Sequence, residues 1–568
     1  MAAEPPHPAS DRTTLLLPII HRDATIQTET ADQTEVAPDS GSSPTAPKNA
    51  AAHYPDQSLG SYAGEGWRAY MQVWREHHRD PANAEIRRFL GLPLSGSPGW
   101  SAKRSRSAPS WLNWKPGTYA QIDTPHFVIY SQADKDDSVT VADDLERCYW
   151  GWTQMFFPLW EGSPQVTGVM AGAAPDDSIV DHLKSNRGRI TIRRKMKVIL
   201  FRDVSGYAAA LARDVPGIER STGFYSDARK AMCVYAAEND DAATRRHELV
   251  HQLFREATRS GLGRSMPGEA RDFWLVEGIA GYFESLSIHG NQATVGGWDS
   301  PRLQFARYRV LVGGDQMPPD ELRTDGRLAA QRRDDIARWY AHAIAETHRM
   351  LDGGNLADRL AVYHQLAELY RIDSPLDDTP IETDQVPAAR KLSEFLAIND
   401  ATLIDNPSNR QIQSLCFAGC QVTETGLASI DPQPDLTWLD LARLPVGNEA
   451  VLRLAPNPAR LEQLTLEATQ VDNQIATWLS QAVNLRELDL SWTDCGDPVL
   501  DAIQPAAKIS VLWMTGTAIT DESIDTIAAK TQLSNIDVQR TGVSETGLNR
   551  IRQSTDAKIN PLELRPQP

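Results

Sequence analysis

The sequence predicts an α+β body followed by a stack of short strand–turn–helix repeats, and three observations carry that reading. Strand and helix patterns alternate between about Tyr119 and Arg371, an apolar-x-x-apolar-x-apolar signature recurs at a nearly fixed interval after residue 400, and a two-histidine motif lies inside a helical pattern of the first region. A chain of 568 residues is long enough for about four domains of roughly 150 residues and for sizeable cores.

In chain order, residues 1–53 hold seven prolines, seven acids against three bases, and no Phe, Trp or Tyr. Such a segment cannot bury enough apolar surface to offset its ordering entropy, so a disordered tail is expected. Its apolar run Leu15-Leu16-Leu17-Pro18-Ile19-Ile20 is short, broken by proline and preceded by Glu4 and Asp11, so no export signal is read from it. Residues 54–118 bring Trp67, Tyr70, Trp74, Phe89, Trp100, Trp111 and Trp114, which predicts an N-terminal extension packed on a core, with Ser101–Ser107 as an exposed loop.

The body is expected over 119–372. Strands are predicted at 126–130, 196–201, 223–226 and 232–236, and helices at 141–159, 206–213, 242–258, 272–286, 334–350 and 356–369. A small mixed sheet followed by helices is an α+β order. Residues 373–388, rich in Asp and Pro, read as a linker.

Over 389–568 the signature occurs at Ile412/Leu415/Phe417, Leu436/Leu439/Leu441, Leu461/Leu464/Leu466, Leu485/Leu488/Leu490, Ile509/Leu512/Met514 and Leu533/Ile536/Val538, with starts 24 or 25 residues apart. An imperfect seventh copy is Ile559/Leu562/Leu564. Segments such as Thr423-Glu424-Thr425-Gly426-Leu427 and Ser544-Glu545-Thr546-Gly547-Leu548 place a capping hydroxyl before an acid and then an apolar helix face. This pattern resembles leucine-rich repeats, which implies an α/β solenoid with a strand-lined concave face. That face would display Trp438, Asp440, Gln463, Thr465, Glu487, Asp489, Trp513, Asn535 and Asp537, a set suited to a protein partner with basic groups. Because each repeat contacts mainly its neighbours, a fragment released by cleavage in 373–388 is expected to stay folded.

The chemistry is concentrated in His247-Glu248-Leu249-Val250-His251. Histidines at i and i+4 stand one above the other on a helix face, so both imidazoles reach one ion, and the intervening glutamate can act on water beside it. Glu277, in Trp274-Leu275-Val276-Glu277-Gly278-Ile279-Ala280-Gly281-Tyr282-Phe283-Glu284, is the candidate third ligand, with Glu284, Glu269 and Glu256 as rival carboxylates. HExxH followed by a helix of this form resembles the gluzincin metallopeptidases. With the preceding strands, it looks like the peptidase MA-like group found in planctomycete-type bacterial proteins beside other modules.

The resemblance covers roughly 119–371 and implies a zincin-like fold and a zinc peptidase. His247, His251 and Glu277 would bind Zn²⁺, and Glu248 would be the general base. A tyrosine opening a later helix stabilises the oxyanion in the aminopeptidase branch, and Tyr340 matches it, with His342 as a rival. The chain lacks a Gly-x-Met-x-Asn anchoring segment, so exopeptidase specificity is not implied. The competing reading is a non-catalytic protein-binding scaffold in which this region is structural.

A formal net charge of −18 excludes a protein built mainly to coat nucleic acid or an anionic membrane. The basic run from Lys184 to Lys197 reads as a solvated face. No stretch approaches the length of a membrane span. Five scattered cysteines, Cys148, Cys233, Cys416, Cys420 and Cys495, favour a reduced, cytoplasmic setting over a disulfide scaffold. Cys416 is expected near the repeat core. The 232–236 strand is expected at a sheet edge, where it could pair with substrate backbone.

Overall fold

The computed structural model describes residues 12–18, 64–93, 100–173, 178–213, 215, 217–236, 242–373, 390–408 and 410–559, and among these the chain is a mixed α/β protein with three sheets and many helices. The tail expected over 1–53 fails at its apolar run. Strand β1 (Thr13–Leu16) pairs antiparallel with residues 292–295, and Leu15, Leu16 and Leu17 are at most 2% exposed. An average over 53 residues hides a run short enough to need only one groove. The Gln154 side chain bonds both backbone groups of Leu16, at 2.9 and 2.6 Å, so the strand's other edge is not left unpaired. The rest of that tail, and positions 374–388 of the expected linker, lie outside the described residues.

Helices Gly64–Arg79 and Ala84–Leu90 bury Trp67, Tyr70, Trp74, Ile86 and Phe89 in the main core. Six strands follow: β2 (Lys103–Arg104), β3 (Ala120–Asp123), β4 (Phe127–Ser131), β5 (Met196–Phe201), β6 (Gly223–Ser226) and β7 (Ala231–Tyr235). Their order is β2-β3-β4-β5-β7-β6, with β4, β5 and β7 parallel and the remaining pairs antiparallel. Lys103 and Arg104, expected in a loop, are exposed but paired to β3. The edge is also not where it was expected. β7 is held on both sides, and β6 is the free edge, because the turn at 227–230 folds β6 back outside β7.

The helical part begins with Ala242–Glu256, which carries His247, and Phe273–Phe283, which carries Glu277. A hairpin, β8 (Ser287–His289) and β9 (Gln292–Val295), then receives β1. Helices Pro301–Arg307, Ile336–Asp352 and Leu356–Tyr370 follow. The Glu277 and Tyr340 helices touch so closely that a Cβ on Gly278 would lie 2.1 Å from Thr347 Oγ1. They are also tied by buried polar groups, since Tyr282 donates to Asp352 at 2.7 Å and His348 bonds both Asp352 and Ser300. Ser300, His348 and Asp352 have the composition of a nucleophilic triad, but all three are 0% exposed and Asp352 also accepts from the Gly297 N–H. They act as a sealed strut.

From residue 414 the signature becomes seven short parallel strands in sequential order: β10 (Ser414–Cys416), β11 (Trp438–Asp440), β12 (Gln463–Thr465), β13 (Glu487–Asp489), β14 (Val511–Trp513), β15 (Asn535–Asp537) and β16 (Lys558–Ile559). The central residue of each of the first six, Leu415, Leu439, Leu464, Leu488, Leu512 and Ile536, points into one apolar cluster. The flanking residues point the other way, as strand alternation requires. Cys416 is among these, and it packs with Ala418, Ala442 and Trp438 rather than in the main repeat core. Leu562 and Leu564 of the seventh copy are outside the described residues.

The repeats do not stand alone. Trp298 of the body belongs to their core and lies 5.8 Å from the Phe417 ring. The outer edge of β10 is capped by side chains of the Pro301–Arg307 helix: Cys416 N–H donates to Gln304 Oε1 (3.1 Å), and Arg307 Nη1 donates to Cys416 O (2.9 Å). Buried Arg307 also reaches Leu396 O and Trp298 O. Beside it, fully buried Asp299 takes Arg12 (2.8 Å), Arg410 (3.6 Å) and the Ser408 hydroxyl. The repeat core is thus completed by Trp298 of the body, so the two parts share buried surface.

Candidate metal centre

The His247 helix is amphipathic: Leu249, Val250, Leu253 and Phe254 enter the core, while His247 and His251 project from another face. Their rings lie 5.0 Å apart. The Glu277 helix packs alongside, and its carboxylate meets both: His247 Nε2 to Glu277 Oε2 is 3.4 Å, and His251 Nε2 to Glu277 Oε1 is 3.8 Å. One ligand atom from each of the three lies within 4.8 Å of the others. Two imidazole nitrogens and a carboxylate oxygen form a donor set suited to a borderline-soft divalent ion such as zinc.

Glu284, a rival ligand in the sequence, takes a different position. It accepts from His247 Nδ1 at 2.8 Å and is held in turn by Arg302 at 2.6 and 3.0 Å. A carboxylate on Nδ1 fixes the tautomer whose Nε2 can bind a cation. Glu269 is not part of this cluster, and Glu256 bonds Tyr225 Oη and Gln252 instead.

The electrostatics follow from these contacts. Burial disfavours a charged His247, but hydrogen bonds to Glu277 and Glu284 outweigh it and raise the imidazole to about 10. Burial lowers His251 to about 4, against the weaker pull of the Glu277 charge. Glu277 is desolvated, yet His251 and His247 bring it down to about 2. Burial and the neighbouring Glu277 raise Glu248, against the pull of His247.

Glu248 is presented on the wall of a cleft of about 580 Å³ that also contains His247, His251, Glu277 and Tyr340. Its Oε2 accepts the Tyr225 N–H at 2.7 Å, so edge strand β6 orients it. Gly223 makes this approach possible, because a Cβ there would fall 2.8 Å from Glu248 Cγ. Tyr340 comes to the same cleft, where the charge of Glu277 and burial hold its hydroxyl well above the ordinary phenol value. His342 does not reach it; its nitrogens bond Arg338 O and Asp315 O.

All five sequence-predicted residues, His247, Glu248, His251, Glu277 and Tyr340, therefore line one cleft. Sequence reasoning missed the Glu284–Arg302 support, the Tyr225 N–H on Glu248, and Arg327 on the cleft wall. Glu284 stands seven residues after Glu277, two turns along the same helix face, a spacing from which a supporting role was readable. The other two depend on tertiary placement.

Compared with known proteins, the chain matches no described family and no curated protein. Among solved structures it is similar to an LRR protein of Leptospira interrogans, at 16% identity and a TM-score of 0.18. The match covers 26% of this chain and 48% of that one, so the chain spans about half of that protein's length. A likeness of that size carries no argument. No described helix is long and apolar enough to cross a membrane, and all five cysteines are free thiols.

Proposed function

We propose that the chain is a zinc-dependent peptidase of gluzincin type, with a zincin-like body and a leucine-rich-repeat solenoid that binds a protein partner. The observation that carries the reading is the convergence of His247, His251 and Glu277 beside Glu248 on one cleft. Zinc held by the first three would supply Lewis acidity toward water and a peptide carbonyl. Glu248, oriented by the Tyr225 N–H, accepts the proton of the attacking water and returns it to the leaving amine. Its raised proton affinity suits a group that must take and release a proton near neutral pH. Tyr340 donates to the developing oxyanion. Edge strand β6, rather than β7, is the backbone on which an extended substrate would pair.

The partner face is proposed more narrowly than its residue pattern implies. Asp440, Asp489 and Asp537 are buried and accept from Ala442, Ser491 and Gln539 N–H groups, so Trp438, Gln463, Thr465, Glu487, Trp513 and Asn535 remain as half-buried or exposed contacts.

The test is metal content together with peptide hydrolysis. The full chain is expected to hold about one zinc and to cleave peptides. Glu248→Gln should keep the metal and lose cleavage, and His251→Ala should lose both. Equal zinc in the parent and His251→Ala would overturn the metal site, and undiminished cleavage by Glu248→Gln would overturn the base.

A further inference from the structure

Two arginines line the cleft, and they are used differently. Arg255 is engaged by Asp227 (Nη2 to Oδ2, 3.0 Å) and by Gly263 O (2.7 Å). Among the described residues the Arg327 guanidinium makes no hydrogen bond to a carboxylate or carbonyl; it lies over the ring of Phe273, 5.8 Å from the centroid, and its charge is felt by Glu277 and His251. Phe273 and Glu277 are four residues apart on one helix, so the group stacked on Phe273 stands about a turn from the metal-binding carboxylate. The backbone beneath it is fixed, since Arg327 N–H donates to Gly268 O (2.9 Å) and Phe273 N–H to Asp325 O (3.2 Å). Other arginines nearby, such as Arg302 and Arg333, are spent on carboxylates of the protein.

The geometry points to Arg327 as the substrate-selecting residue of this cleft, one that binds a carboxylate carried by the peptide close to the bond that is cut. This rests on the reading of the cleft as a peptidase site and adds to it the class of substrate: peptides with an acidic side chain or a free C-terminal carboxylate beside the scissile bond. A planar guanidinium on an aromatic ring still offers its outer N–H fork, which fits a carboxylate with two parallel hydrogen bonds. An anionic peptide would otherwise be repelled here by Glu248 and Glu277, so a cation with no carboxylate hydrogen-bonded to it favours its entry.

The test uses two matched pairs: a peptide with Glu beside the central bond against its Gln twin, and a free C-terminus against its amide. Binding is measured by calorimetry to the full-length Glu248→Gln chain loaded with zinc, and kcat/KM on the parent. The carboxylate member of at least one pair should bind about tenfold tighter or more, the scale of a hydrogen-bonded charge pair. Whichever pair responds identifies the source of the carboxylate. Arg327→Gln should bring that ratio close to one, and Arg327→Lys should keep part of it, because a point charge replaces the fork. Taking ratios within a variant removes any shared loss from altered packing on Phe273. Ratios near one in the unsubstituted chain, or ratios unchanged by Arg327→Gln, would overturn the proposal. A preserved binding ratio with no cleavage of any peptide would overturn the peptidase reading alone.

Discussion

Glu284 shows what a residue can be at one position and not at another. The motif His247-Glu248-Leu249-Val250-His251 was legible in the sequence because i, i+4 geometry converts spacing directly into juxtaposition. The choice between Glu277 and Glu284 was not, because both lie on one helix face and it depends on where along its length the second helix meets the first. In the fold Glu277 meets both Nε2 atoms, while Glu284 bonds His247 Nδ1 and is gripped by Arg302. If His247, His251 and Glu277 hold zinc as proposed, removing Glu284 is therefore expected to loosen it rather than to leave it untouched. Glu284→Ala should weaken zinc about 10- to 100-fold, the usual effect of losing a hydrogen-bonded support of a ligand histidine, and Glu277→Ala should cost more. Competition with a chelator of known affinity measures both. An unchanged affinity in Glu284→Ala would show that water holds the imidazole equally well.

At the scale of elements, the periodic parts were readable and the close contacts were not. The 24-residue repeat is a one-dimensional regularity, and its central leucines form one cluster as expected. Helix rotation leaves weaker traces, yet Glu277-Gly278 contains one: Gly278 lets two helices meet where any larger residue collides with Thr347 Oγ1 and Ala343 O. Gly278→Ala gains helix propensity of about 1 kcal/mol but meets that collision, and overpacking typically costs about 1–3 kcal/mol. The variant should melt lower and bind zinc more weakly, since Glu277 is the adjacent residue; a melt and chelator titration equal to the parent would refute the close-packing argument. Within the repeats, burial, with Asp489 and Glu467 adding to it, pushes Asp440 up to about 6. A carboxyl whose folded value is raised contributes most below its unfolded value, near 3.8, and loses that contribution as pH rises through about 6. Asp440→Asn keeps the acceptor for Ala442 N–H and removes the charge, so it should stabilise the chain by about 1–3 kcal/mol at pH 7.5, with the gain vanishing below about pH 4. Denaturant titration at the two pH values reads this, and a gain independent of pH would mean that Asp440 ionises freely.

Over the whole molecule, sequence suggested modules in series, while the structure joins them through groups that no linear pattern announces. Single positions such as Trp298, Asp299, Gln304 and Arg307 look ordinary in the sequence because their partners lie about a hundred residues away. An engineered protease site at residue 380 should consequently give two pieces that still elute together, since the joint contains the buried Asp299–Arg410 pair and the capped edge of β10. Arg307→Ala strands several buried carbonyls and should cost about 3 kcal/mol or more, and it should let the cut pieces separate on gel filtration. Pieces that part from the uncut-equivalent Arg307 chain would contradict the joint. The clasp of β1 has a consequence in time. The Arg12 hydrogen bond to Pro407 spans 395 residues, and β1 itself waits for β9. At a synthesis rate of about 5–20 residues per second, Leu15, Leu16 and Leu17 leave the ribosome roughly 15–55 seconds before β9 does. Throughout that interval they are an apolar strand without a groove, so the first residues of the fold to be made are among the last to find their place. The newborn chain is thereby exposed to chaperones and to misassociation through these leucines until β9 has been synthesised.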